Sequence, residues 1–204
     1  MMRIIGIMNS KTTAVILFTG VGVSCAYPTI DKISNPSVPE VVEIEVIPYE
    51  KLSWKCPDCN NNEQYVLSEL QEKTKIVSKN ALAAIMGNIK QESKFFSNIC
   101  EGGARVSYDS CRSGGYGIIQ WTSKNRYLGL GSFCKKYDCD PSSIEGQTRY
   151  MINEKQFQAV LPVFEGNEKS IGEYMVPAYR WLGWGIKGNR ENYSYNYSKQ
   201  LVQS

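Results

Sequence analysis

The sequence contains no histidine. That absence excludes Ser-His-Asp and Cys-His nucleophilic chemistry and any histidine-ligated catalytic zinc, so a hydrolytic site here would have to run on carboxylates. With no histidine, a single CxxC spacing, Cys56 to Cys59, is too little to argue for a zinc knuckle. Net charge is only +3, which carries no nucleic-acid signature. The apolar run from Thr13 to Val23 is too short to span a bilayer comfortably. With 204 residues, 42% of them hydrophobic and 21% charged, the chain can still bury one real core.

What is present begins with an export pattern. Arg3 and Lys11 precede the apolar run, and Ser24, Cys25 and Ala26 supply small residues before Tyr27 and Pro28, so residues 1–26 read as a signal peptide cleaved after Ala26. The alternative is an uncleaved anchor. Gly22, three positions before Cys25, fits a lipoprotein box poorly. Cleavage leaves six of the seven cysteines, in local pairs Cys56/Cys59, Cys100/Cys111 and Cys134/Cys139. Paired cysteines in an exported chain predict disulfides, and the simplest of the possible connectivities closes each pair on itself.

Residues 27–59 are acidic and dotted with Pro28, Pro36, Pro39, Pro48 and Pro57, and read as a linker or docking arm with one extended stretch, VVEIEVIPYE. From residue 60 to 204 the pattern is mostly helical. Val66, Leu67, Leu70 and Ile76 predict a first helix, Asn80 a cap for a second, and Asp140-Pro141 the opening of a later one. The stretch from Cys100 to Gly117 is loop-like, with room for a small hairpin.

In the second helix, Leu82, Ile85, Ile89 and Phe96 mark one face, and the member of that stripe between Ile89 and Phe96 is Glu92. A carboxylate beside apolar side chains is poorly solvated, and such a group is suited to donate a proton. The plain alternative is a rim residue, solvated or paired with Lys94 or an arginine.

Around Glu92 a larger pattern forms. Gly87, Asn88, Glu92 and Ser93 are followed by Tyr116, Gly117, Ile118, Gln120 and Trp121, and this order resembles the phage tail lysozyme family of the lysozyme-like superfamily, related to goose-type lysozymes and lytic transglycosylases. The likeness is good over about residues 62–160, including the helix with Gln147, Tyr150 and Met151, and loose through Trp181, Trp184 and Tyr193. It implies a mainly α (α+β, lysozyme-like) fold: a helical catalytic domain with a small loop or hairpin region, preceded by the extended arm. It implies a peptidoglycan glycosidase cutting the β-1,4 bond between N-acetylmuramic acid and N-acetylglucosamine, with Glu92 as general acid and no cofactor or metal. Ser93, Tyr116, Gly117, Gln120 and Trp121 would bind substrate or orient the acid. Trp121, Trp181 and Trp184 are each either sugar platforms or core.

A second carboxylate is not selected: Glu101 and Asp109 both lie in the loop that Cys100 and Cys111 would close. A lytic transglycosylase route, with Glu92 as acid and then base, therefore stays open. The expected partners are glycan strands, and virion or tail proteins through residues 27–59, but no nucleic acid. The expected location is exported or virion-associated. The rival from another class is a non-catalytic wall-binding or virion structural protein on the same fold.

Overall fold

The computed structural model describes residues 53–112 and 114–204. The expected signal peptide and the arm up to residue 52 lie outside them. Among the described residues there are seven α-helices, and no helix is long and apolar enough to cross a membrane. The fold is the mainly α one expected.

Helix α1, Asn61–Lys73, starts where the chemistry dictates. The Asn60 side chain accepts from the Glu63 N–H and the Glu63 carboxylate accepts from the Asn60 N–H, a reciprocal cap, and Val66, Leu67 and Leu70 then face inward. Helix α2, Lys79–Ser93, is capped by Ser78 and not by Asn80, which lies inside it. Every residue from Ala81 to Ile89 is buried, so α2 is a central helix surrounded on all sides, and the one-sided stripe expected from periodicity is corrected. Its closest neighbour is α7, Arg190–Gln200. A Cβ on Gly87 would lie 2.4 Å from the Ser194 nitrogen, so only glycine permits that crossing.

Helices α3 (Lys124–Tyr137), α4 (Ile144–Asn153), α5 (Lys155–Phe164) and α6 (Ile171–Leu182) complete the shell. Helix α4 opens at Ser143, whose hydroxyl accepts from the Gly146 N–H; Asp140 and Pro141 form the turn before it, with Asp140 accepting from the Ser142 N–H. Ahead of α1, Trp54–Lys55 (β1) pairs antiparallel with Val202–Gln203 (β2), and the Trp54 indole donates to the Val77 carbonyl, so the packed body includes residues before Asn60. Among the described residues between Cys100 and Gly117, isolated bridges join Ile99 to Arg105 and Cys100 to Tyr116, with 3-10 turns at Glu101–Gly103 and Tyr108–Ser110, in place of a hairpin ladder.

The three disulfides join Cys56 to Cys59, Cys100 to Cys111 and Cys134 to Cys139, the local pairing expected. Intact mass of protein from an oxidising compartment should show no thiol in the described body open to alkylation until it is reduced. Reduction should cost roughly 2–3 kcal/mol at the 100–111 loop, read as a lower urea midpoint. Alkylation without reduction at any of these six positions would contradict it.

A buried polar cluster locks α1, α2 and α7 together. Lys90 Nζ lies 2.5 Å and Tyr197 Oη 2.6 Å from Glu63 Oε1. Burial pushes the Glu63 pKa up, but hydrogen bonds from Lys90, Tyr197 and the Asn60 N–H outweigh it and hold the carboxyl below its ordinary 4.5. Burial, and then the bond to Glu63, push the Tyr197 phenol strongly up. A lowered folded pKa contributes stability above the ordinary value and loses it as pH falls through the lowered one. Wild-type stability should therefore fall as the pH is taken below the ordinary 4.5, and the fall should be shallower in Glu63→Gln, which starts less stable at neutrality. Parallel acid limbs in urea titrations would contradict this.

Candidate active site

Helix α2 ends on the Glu-Ser pair in an unusual way. Lys94 and Phe95 both take left-handed backbone conformations, φ 53° and 64°, which non-glycine residues adopt only at a cost. The reversal is fixed by Ser93, whose hydroxyl accepts from the Phe95 N–H, and by Asn62, which donates to the Phe95 carbonyl. Phe95 enters the core while Phe96 is 41% exposed, stacked under the Arg105 guanidinium. Phe96 thus does not continue the face drawn through Ile89, because the helix has already stopped.

The same Ser93 hydroxyl donates to the Ile118 carbonyl at 2.8 Å and brings the 115–121 loop against the end of α2. On its other side the Ile118 peptide is held by Gln147, a buried α4 residue. Gln147 Oε1 accepts from the Ile118 N–H at 2.9 Å, and its amide nitrogen donates to the Ser97 and Pro141 carbonyls, both at 2.7 Å. This clamp explains Gly117: φ is +75°, and a Cβ would meet Gln147 Oε1 at 2.4 Å. Gln120, φ 52°, donates to the Gly117 carbonyl at 3.0 Å and so shapes the same loop.

Two of the expected substrate contacts lie inside the core. Tyr116 is fully buried, its hydroxyl donating to the Val106 carbonyl, and burial pushes its phenol up. Trp121 is also fully buried and donates its indole N–H to Glu154 at 3.1 Å. Neither ring has a face open to a sugar. Trp181 is core for the same reason and donates to the other Glu154 oxygen at 2.9 Å. Of the three tryptophans in question, Trp184 alone is half-buried.

Glu92, one residue before Ser93 and roughly 100° round the helix, turns its carboxylate toward α7. Its Oε1 accepts from Arg190 Nη2, and the two side chains are 15% and 6% exposed. The carboxylate is mostly withdrawn from water, as expected, but it is paired. Each partner sits at the electrostatically wrong end of its helix: an acid in the last turn of α2, a base at the first position of α7. Pairing compensates both. Arg190 is further anchored by the Ile186 and Lys187 carbonyls at 2.9 and 2.8 Å, and its Nε is buried with no hydrogen-bond partner. The adjacent Gln91 accepts from the Asn189 N–H at 2.9 Å, a second stitch between the α2 end and the start of α7.

Glu101 is exposed and accepts from the Gly115 N–H at 2.9 Å, and Asp109 is exposed on its 3-10 turn. Two surface depressions, of about 520 and 490 Å³, are lined by Tyr65, Glu69 and Arg149 and by Trp54, Lys79 and Asn167 respectively, and neither includes Glu92. Among the described residues no cluster of cysteines and acids could hold a metal ion.

Sequence reasoning missed Arg190 and the clamping role of Gln147. A base opening a helix, where the dipole repels it, is a signal that a carboxylate partner must exist, but nothing in the spacing says which. No curated protein matches the chain significantly. The family model for phage tail lysozyme matches residues 61–180 and so takes in the Glu-Ser end of α2, the 115–121 loop and the Gln147 clamp. The chain belongs to the phage tail lysozyme family.

Proposed function

We propose that the protein is a peptidoglycan glycosidase that cuts the β-1,4 bond between N-acetylmuramic acid and N-acetylglucosamine, with Glu92 donating the proton to the glycosidic oxygen. Family membership points to a peptidoglycan-lytic function. The observation that carries the finer reading is the placement of Glu92: a largely desolvated carboxylate ending the central helix, beside two strained residues and a glycine loop clamped on both sides.

For Glu92 to reach a glycosidic oxygen it must part from Arg190, which holds its Oε1. Arg190 keeps two carbonyl partners when that happens, so the cost of opening is limited to one contact. On arrival of a glycan strand, Glu92 turns from Arg190 and gives its proton to the leaving oxygen as the glycosidic C–O bond breaks; water then adds to the sugar carbon and its spare proton returns to the Glu92 carboxylate. Ser93 and Gln120 act by holding the 115–121 loop, and Gly117 lets that loop approach.

A second route dispenses with a second carboxylate. If no second acid activates water, Glu92 returns as base and the substrate's own hydroxyl closes a 1,6-anhydro ring. The protein acts where the wall is accessible, exported or carried on a virion, with the arm up to residue 52 as its docking segment. Purified sacculi treated with the full chain should lose turbidity and release soluble glycan. Intact sacculi after prolonged incubation would overturn the reading in favour of a wall-binding or virion structural protein.

A further inference from the structure

The match to the family stops at residue 180, yet the partner of Glu92 lies at 190. The intervening α6–α7 loop carries an aromatic ledge. The Arg190 guanidinium lies 4.7 Å from the centroid of the Trp184 ring, and Tyr179 meets that ring edge-on at 5.3 Å. Tyr179 is 53% exposed, Val176 one turn earlier on α6 is equally so, and Ile186, whose carbonyl receives Arg190, is 83% exposed. Large apolar side chains left open in a continuous patch mark a binding surface.

Resting on the glycosidase reading, we infer that Trp184, just beyond the family-matched region, and Tyr179, at its end, form a saccharide-stacking subsite next to Glu92. One guanidinium touches both the Trp184 ring and the Glu92 carboxylate, so ledge and acid border the same space. A pyranose presents an apolar C–H face and a rim of hydroxyls, which suits an aromatic face bordered by charged and amide groups. The buried, unpartnered Arg190 Nε adds a donor at this ledge that no protein group satisfies. Tyr116, Trp121 and Trp181 cannot serve, being closed inside the core.

The test measures binding separately from cutting. Wild type, Trp184→Ala, Trp184→Phe, Tyr179→Ala and Glu92→Gln, all as full chain, are titrated with the N-acetylglucosamine tetramer by calorimetry and pelleted with purified peptidoglycan. The wild type and Trp184 variants are also assayed for KM and kcat. Trp184→Ala should weaken binding and raise KM about tenfold, with a smaller effect on kcat, and Trp184→Phe should recover most of the loss because it restores a ring. Tyr179→Ala should weaken binding in the same direction. Glu92→Gln should still bind. Wild-type affinity in both alanine variants, or no binding of tetramer or wall by the wild type, overturns the subsite. A wild type that binds through Trp184 but never lyses wall upholds the subsite and overturns only the glycosidase reading. Binding of a protein partner by the ledge while glycan is ignored overturns the inference as well.

Discussion

Replacing Glu92 with glutamine is expected to lower the rate of peptidoglycan lysis by at least about 10²- to 10⁴-fold, the range over which a positioned general acid contributes. The amide keeps the shape of the side chain and has no proton to give at neutral pH. Stability should also change, and the structure reverses the expectation drawn from an unpaired carboxylate in an apolar stripe. There, a neutral amide would relieve a buried charge; here it leaves the Arg190 guanidinium, 6% exposed, without its counter-charge. An amide oxygen still accepts one hydrogen bond, and Arg190 retains the Ile186 and Lys187 carbonyls, so the loss should be about 1–2 kcal/mol and not the larger penalty of a bare buried charge. The variant therefore melts somewhat lower and remains folded at assay temperature. Undiminished lysis by a folded Glu92→Gln would remove Glu92 from the mechanism.

The largest stability effect should come from a carboxylate that takes no part in the chemistry. Glu154 joins α4 to α5, and its side chain is almost completely buried. Its two oxygens accept four hydrogen bonds: from the Trp121 and Trp181 indoles at 3.1 and 2.9 Å, and from Arg126 Nε and Nη2 at 3.1 and 2.6 Å. One residue thus gathers α3, α6 and the loop that follows the glycine turn. Removing a single partner of a buried ion pair typically costs about 3–5 kcal/mol because the other charge is stranded. Glu154→Ala should reach that range or exceed it, since two indole donors lose their acceptor along with Arg126. Glu154→Gln should lose less, keeping one oxygen. Urea unfolding of both variants checks the order, and a loss under about 1 kcal/mol for Glu154→Ala would mean that the cluster is not the dry hub its burial indicates.

Much of this fold was legible before the coordinates, and the misses share a cause. Local rules worked where the partners are local: the three short-range cysteine pairs and the first helix through Val66, Leu67 and Leu70, though it stops before Ile76. They failed where burial is decided by tertiary packing. Periodicity assigned one apolar face to α2, but a helix enclosed on all sides has no polar face to contrast with, and Phe95 replaced Phe96 in the core because two left-handed residues turn the chain. Tyr116 and Trp121 fit a sugar site by type, and only their neighbours, Val106 and Glu154, show that they are spent on holding the scaffold. The Glu92 partner is 98 residues away in the chain, a distance no spacing rule reaches.

The central claim is that Glu92 cuts glycan strands. Mass analysis of muropeptides released from purified peptidoglycan by wild type and by Glu92→Gln, at equal concentrations of folded protein, tests it most directly. The wild type should release disaccharide-peptides ending in N-acetylmuramic acid, as the reducing sugar if water is the acceptor or as the 1,6-anhydro form, lighter by one water, if the substrate's hydroxyl is; Glu92→Gln should release neither above background. Equal release of glycan fragments by both proteins, or wild-type products cut only within the peptide stems, would contradict it.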